Sequence, residues 1–237
     1  MNAVCEKEKT GFILDDVVLI GRTFDEYFRM FRLSEISTED RILDAGGGVS
    51  AFAADATRLG YDVTALDPAY HCSHDDLAEK CAADLALTMM RARETTPLFR
   101  WDGLFGDVDD LTKHRRRAYL HFLDDYQNDR MRYHAGSLPA TEYADNTFDI
   151  GLVSHLLFLY DAQRDYEFHK RAVRELARIC SREVRIFPLI NLAGERSVFL
   201  KCLMHDPDML DLSFTVRRVP YEFLKGADEM LVVRRKT

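Results

Sequence analysis

Cysteine, proline and tryptophan are scarce in this chain, and long apolar runs are missing. The five cysteines (Cys5, Cys72, Cys81, Cys180 and Cys202) are scattered, odd in number and form no CxxC pair. That argues against a disulfide framework and fits reduced thiols in a cytoplasmic protein. No apolar stretch approaches the length of a membrane span. The segment MNAVCEKEKTGF has no signal-peptide core, so a cytoplasmic chain with no membrane partner is expected. An excess of positive charge is also lacking: 32 Lys and Arg stand against 40 Asp and Glu, a net charge of −8. A nonspecific binder of nucleic acid or anionic lipid is thereby disfavoured. No internal repeat or low-complexity tract interrupts the 237 residues, and 47% apolar with 30% charged content suits one globular domain with a good core.

What is present is a repeating strand–helix pattern. After a charged end up to about Thr10, TFDEYFRMFRL carries Thr23 three residues before Glu26, a capping-box spacing. Phe24, Tyr27, Phe28 and Phe31 then recur at helical intervals. RILDA reads as a strand, Ser50 to about Leu59 as a helix stopped by Gly60, and YDVTALD as a second strand. From Ala69 to about Arg132 the pattern is mostly helical. DDLAEKCAADLALTMMRAR and DDLTKHRRRAYLHFLDDY form two long helices, the second with Leu111, Ala118, Tyr119, Phe122 and Tyr126 on one face. MRYHAG, FDIGLVS and EVRIFPLI return to strand character, with a helix from Phe168 to about Cys180. FTVRRV and EMLVVRR close the chain as two strands around Lys225-Gly226-Ala227. This order predicts an α/β fold with a mostly parallel sheet and an antiparallel C-terminal edge strand.

Ligands of such sheets bind at the carboxyl ends of the strands. Gly46, Gly47 and Gly48 follow the first strand, where they permit a tight turn and close approach of a ligand to the backbone. The helix that follows is placed to offer unpaired N–H groups. Asp67 ends the neighbouring strand about 20 residues on, at the position from which a carboxylate accepts ribose hydroxyls. Together they describe a nucleoside pocket. Gly46 to Ala51 also satisfies GxGxxA, which keeps a dinucleotide fold open. Asp44, two residues before the first glycine, gives DxGxG instead.

With these residues the chain resembles the class I S-adenosylmethionine-dependent methyltransferases. Asp44-Ala45-Gly46-Gly47-Gly48 resembles that family's first motif and Asp67 its acidic residue after the second strand. Gly136-Ser137-Leu138-Pro139 and Asp145-Asn146-Thr147-Phe148-Asp149 resemble the loop after the third strand and the entry to the fourth. GRTFDEYFRMF and SHLLFLY are similar to a bacterial branch of uncharacterised, small-molecule-type members. The resemblance implies a Rossmann-like seven-stranded sheet in a single domain spanning residues 1–237. Residues 41–68 and 132–237 would form the core, 11–35 an N-terminal helical lid, and 69–131 a helical insertion covering the substrate. It implies S-adenosyl-L-methionine as cofactor. Asp44, Ala45 and the glycines would lie under its methionine part, Asp67 with Pro68 at the ribose, and Ser137 and Leu138 at the adenine; Ser154 and Arg22 are further candidate cofactor contacts. Many members have aspartate where Ser137 stands, and Ser154-His155 is not the NPPY-type motif of enzymes that methylate amino groups of DNA and protein.

Transfer from a sulfonium needs alignment above all, and a hydroxyl or ammonium acceptor must also lose a proton. His155 is the candidate base, with a structural strand-end histidine as the other reading. Arg22 is placed to pair with a carboxylate, or is a surface charge. Tyr27, Tyr70 and His71 are candidate lining residues; for Tyr27 the alternative is core. His71-Cys72-x-His74-Asp75 matches no zinc spacing, so no metal is expected. Lys113 to Arg117 reads as a solvated basic face paired with nearby acids, and Met89-Met90 as core packing. The expected activity is methyl transfer to a small molecule. A non-catalytic binding protein, an RNA methyltransferase and an NAD-dependent oxidoreductase are the alternatives. Nothing in these patterns specifies the oligomeric state.

Overall fold

The computed structural model describes Leu14 and residues 17–236. The charged N-terminal end and Cys5 lie outside them. Seven strands form one sheet: β1 (Arg41–Ala45), β2 (Asp62–Asp67), β3 (Tyr133–Ala135), β4 (Phe148–Ser154), β5 (Cys180–Phe187), β6 (Leu212–Arg218) and β7 (Glu229–Arg235). Their order is β3-β2-β1-β4-β5-β7-β6. All neighbouring pairs from β3 to β5 are parallel, and β7 runs antiparallel to both β5 and β6. This is the Rossmann-like, mostly parallel seven-stranded sheet expected, with its antiparallel strand β7 just inside the edge strand β6.

The chain leaves β1 in one direction across the sheet and returns to the other side of β1 as β4. The carboxyl ends of β1 and β4 therefore splay apart at a switch point, where such sheets open a crevice. Alternate strand residues face two cores, as the two-residue period of a strand requires. Ile42, Ile150 and Leu152 pack under the helices α1 (Phe24–Met30), α2 (Phe52–Arg58), α3 (His74–Glu94) and α4 (Val108–Asn128). Leu43, Val153 and Ile186 pack under α5 (Tyr166–Ile179) and α6 (Val198–His205). Among the described residues no helix is long and apolar enough to cross a membrane.

Local signals explain most boundaries. Thr23 and Glu26 form the reciprocal capping box that starts α1. Gly60, at φ +90°, follows α2. The Ser73 hydroxyl caps α3 by accepting from the Asp76 N–H. Phe28 departs from the expected apolar face and is exposed, because the side of α1 turned to the core is that of Phe24, Tyr27 and Met30, continued by Phe31 just after the helix. Met89 is core as expected, whereas Met90 points out.

The long segment between β2 and β3 folds as α3 and α4, which pack on each other and on the site side of the sheet. Tyr126 of α4 donates to the Tyr70 and Cys72 carbonyls, at 2.9 and 3.2 Å. The link between α3 and α4 pairs with the loop between β6 and β7: Arg100 N–H donates to Phe223 O and Lys225 N–H to Leu98 O. These bonds hold the two helices over the carboxyl end of the sheet.

Candidate functional site

The glycine turn is folded across the end of β2, with the N–H groups of Gly46 and Gly47 donating to Leu66 O. Gly46 has φ +74°, which a side-chain-bearing residue rarely adopts. At Gly47 the constraint is space. A Cβ there would lie 2.8 Å from Asp44 Oδ2 and 3.0 Å from the Tyr70 hydroxyl. Of the N–H groups expected at the start of the next helix, two are already taken. α2 begins only at Phe52; Ala51 N–H is taken by Arg22 O, and Phe52 N–H by the Ser50 hydroxyl.

Asp67 accepts from Gly48 N–H at 3.0 Å and Ala69 N–H at 2.8 Å, one bond to each carboxylate oxygen. A carboxylate has about four acceptor positions, so two stay available to hydroxyl donors. Burial pushes its carboxyl up against those two hydrogen bonds. Pro68 opens the short helical turn that carries Tyr70, and the Tyr70 hydroxyl donates to Gly48 O at 2.8 Å. His71 sits on the same turn but is exposed and outside the cavity lining, so the structure does not bring it to the site. Asp44 is buried at the end of β1, beside Ala45. Its carboxyl accepts from the Tyr27 hydroxyl at 3.1 and 3.3 Å. Burial pushes this carboxyl up to about 7; the Tyr27 bond opposes the shift and the Asp67 charge adds to it. Tyr27 stacks on Phe52 at 4.2 Å and lies against the Ser154 and Ser50 hydroxyls. It is thus both core and cavity wall.

The cavity around this turn is lined by Gly46 to Ser50, Asp67, Tyr27, Arg22, Ser154 and His155, together with residues of α3, α4 and the β6–β7 loop. Ser137 and Leu138 stand at the end of β3, Ser137 exposed and Leu138 buried in the second core, and neither lines it. Arg22 donates weakly to Ile20 O at 3.4 Å, and its buried Nε has no partner. Among the described residues no carboxylate pairs with it. A guanidinium left so is costly, since hydrogen bonds to charged groups are worth about 1.5–3 kcal/mol each. Burial lowers its pKa, and the nearby Arg115 lowers it further.

Arg115 corrects the expectation of a wholly solvated basic face on α4. It is buried and grips Glu26 with two bonds of 2.5 and 2.7 Å, while Tyr221 donates to the same carboxylate at 2.9 Å. Burial alone would raise the Glu26 carboxyl, but the charge and bonds of Arg115 hold it at about 2. The signal was in the spacing: Arg115 falls on the same stripe as Leu111, Ala118 and Phe122.

His155 follows β4 at φ +54°, its N–H bonded to Phe187 O at 2.7 Å and Nδ1 2.9 Å from the Ser154 hydroxyl. Burial, then the charges of Arg22 and Arg115, hold its pKa well below the usual value. The imidazole is therefore neutral at neutral pH. Among the described residues no three His, Cys, Asp or Glu side chains come together as a metal site.

The expected N-terminal lid is not helical where it meets the cavity. Val17 to Arg22 is an irregular strap. Gly21 threads between α4 and the glycine turn, where a Cβ would meet Tyr119 N and Val49 O at 2.8 Å each. Leu19 N–H donates to Asp84 Oδ2 at 2.7 Å, and Val18 N–H reaches the Tyr160 hydroxyl at 3.4 Å. The Leu19 side chain lies over Gly48, beside Asp67.

Fold and glycine turn thus define a Rossmann-like α/β protein with a pocket at the switch point of its sheet. The chain belongs to the family of the uncharacterized protein MJ0045 of Methanocaldococcus jannaschii, to which it is 40% identical over 223 residues, 94% of this chain and 98% of that one. That relative is archaeal and lends no support to the expected bacterial branch. No protein-family model matches. Among solved structures, the chain is similar to a TehB-like SAM-dependent methyltransferase from Corynebacterium glutamicum (14% identity, TM-score 0.46, 93% of this chain and 89% of that one). It is also similar to TnmH (14% identity, TM-score 0.45), where 89% of this chain spans 55% of the other.

Proposed function

We propose that the protein binds S-adenosyl-L-methionine in this cavity and transfers its methyl group to a small molecule. The observation that carries the reading is that one cavity at the glycine turn is lined both by Asp67 and by Arg22, whose buried Nε has no hydrogen-bond partner and which no carboxylate among the described residues pairs. A carboxylate with free acceptor positions suits a ribose diol, and a buried guanidinium without a counter-ion suits a carboxylate. An adenosyl group joined to an amino acid carries both. Asp44 and the glycines would lie under the amino-acid part, and a bound ammonium would favour the ionised form of Asp44.

The cofactor supplies an activated methyl group, so the residues here contribute orientation and exclusion of water. The α3–α4 pair and the strap form the cover, a cover that favours a small acceptor over a polymer. His155, neutral and at the end of β4, is positioned to take a proton from an acceptor. Its weak basicity suits an acceptor that gives its proton up readily.

Calorimetric titration with S-adenosylmethionine, S-adenosylhomocysteine and NAD tests the reading. Both adenosyl ligands should bind and NAD should not. Asp67→Ala and Arg22→Gln should each weaken binding about ten- to a hundredfold, the equivalent of the ~1.5–3 kcal/mol of a hydrogen bond to a charged group. Binding of NAD alone, or adenosyl binding indifferent to both substitutions, refutes it.

A further inference from the structure

Between β4 and α5 the chain takes left-handed backbone conformations at two residues other than glycine, His155 at φ +54° and Phe158 at φ +66°. A bulky aromatic residue rarely adopts that conformation and keeps it only where the surroundings hold it. At Phe158 the chain passes from one core to the other. Leu157 and Phe158 pack in the core under α5 and α6, whereas Leu159 and Tyr160 pack in the core under α1 to α4. Leu159 and Tyr160 line the cavity. The Tyr160 hydroxyl takes the Val18 N–H of the strap at 3.4 Å. Gln163, further along the same connection, donates to Leu14 O at 2.6 Å. The group that holds the turn lies outside the cavity. Phe158 N–H donates to Nε2 of His169, on α5, at 3.1 Å. Nδ1 of the same ring lies 2.7 Å from Asp165 O. A carbonyl only accepts and an N–H only donates, so the proton sits on Nδ1 and the lone pair on Nε2. The ring is buried, stacked on Phe158 at 5.6 Å and flanked by Phe199 of α6 at 4.9 Å. Burial lowers its pKa, against the Asp165 carbonyl and the charges of Asp161 and Asp165, which favours the same neutral form.

Resting on the reading of this cavity as an adenosyl-ligand site, we propose that His169 is a positioning residue for it. Through the Phe158 N–H, the Nε2 lone pair fixes the turn that places Leu159 and Tyr160 in the cavity wall and makes Tyr160 an anchor of the strap. His169 itself does not line the cavity. Without this acceptor the Phe158 N–H becomes a buried donor with no partner, which costs more than the bond itself contributes. The backbone then relaxes toward an ordinary negative φ at Phe158, and the residues that follow leave their places in the wall. An amide oxygen at the Nε2 position can accept the same N–H. The role therefore belongs to the acceptor and not to the bulk of the ring, and this separates positioning from simple packing.

The test compares His169→Gln, whose side-chain oxygen can reach the Phe158 N–H, with His169→Leu, which fills the same apolar space and accepts nothing. Calorimetry reads S-adenosylhomocysteine binding, and hydrogen exchange is followed at residues 17–20 and 158–160 of the same proteins. The expected result is that His169→Leu binds about tenfold more weakly, with exchange in both segments about tenfold faster, while His169→Gln stays within about threefold of wild type. A folded His169→Leu with wild-type affinity and exchange overturns the proposal. So does a His169→Gln as impaired as His169→Leu, which would make the packing of the ring the cause. If His169→Leu does not fold, His169→Asn replaces it, because that amide can still donate to Asp165 O but is too short to reach Phe158. Long-range proton–nitrogen correlation of the wild-type imidazole adds a check that needs no variant: the proton must be on Nδ1, and a proton on Nε2 refutes the bond. The two readings part cleanly. A wild type that takes no adenosyl ligand sinks the cofactor reading alone, since exchange at 17–20 and 158–160 still decides the positioning. Adenosyl binding that ignores His169→Leu sinks the positioning alone.

Discussion

Asp44 illustrates what a single residue can report. Its carboxyl is shut away from water with only the Tyr27 hydroxyl to stabilise the charge, and it titrates near 7. An unfolded aspartate titrates near ~3.9. The folded state therefore holds this proton more tightly, and stability falls as pH rises from about 4 to about 7, levelling off above. Asp44→Asn keeps an acceptor for Tyr27 and removes the ionisation. Thermal unfolding of the ligand-free protein between pH 5 and 8 should show the wild type losing more stability than Asp44→Asn; parallel curves would mean that Asp44 is ionised throughout. Residues of this kind were partly legible. Asp44, Asp67 and the glycines announce themselves because the turn needs them at fixed spacing. Arg115 was overlooked: with Lys113, Arg116 and Arg117 exposed the run reads as one solvated face, although the place of Arg115 on the stripe of Leu111, Ala118 and Phe122 marks it as inward; only its partner Glu26, 89 positions earlier, left no trace in the spacing. The Thr88 hydroxyl, buried without a hydrogen-bond partner, was equally silent, since burial without a partner is a property of the packed cavity.

At the scale of elements, strands and long helices were readable from period alone, and α3, α4, β4 and β7 stand where the pattern put them. Two elements were not. α6 is a single eight-residue helix whose apolar face, with Leu200 and Leu203, matters only because α5 lies beside it. The strap has no periodicity at all; its path is set by side chains far along the chain, Asp84, Arg115 and Tyr160. As it lies, the strap leaves about 150 Å³ of free cavity, below the ~300 Å³ of the smallest usual ligand pockets. Leu19 covers the spot beside Gly48 and Asp67. A nucleoside can enter only if Val17 to Ile20 shifts, while Gly21 and Arg22, bonded to α4 and to the start of α2, stay as the hinge. Asp84→Ala removes the acceptor of the Leu19 N–H. Hydrogen exchange at residues 17–20 should then quicken about tenfold, the loss of ~1.4 kcal/mol of local protection expected for one charge-assisted bond. S-adenosylhomocysteine should associate faster with this variant. Unchanged exchange and unchanged association would show that the strap is not held by this contact.

For the whole molecule, the net charge of −8 and the uncompensated Arg22 point in opposite directions. The net charge disfavours polyanions, while Arg22, which no carboxylate among the described residues pairs, lines the cavity with the glycine turn. A protein that gripped nucleic acid would show its positive charge on an exposed face and lose affinity steeply with salt as counterions are released. Here most exposed arginines are tied to carboxylates, such as Arg41 to Asp149 and Arg217 to Glu35. Buried charges are screened far less than exposed ones. Adenosyl-ligand affinity should accordingly change by less than about threefold between roughly 50 and 500 mM sodium chloride, against the several orders of magnitude expected of a protein making many phosphate contacts. Calorimetry across that salt series, with a short RNA hairpin titrated in parallel, checks both halves. Tight hairpin binding at low salt that collapses at high salt would move the acceptor from a small molecule to RNA and would point to the exposed Lys113, Arg116 and Arg117 on α4 as the contact face.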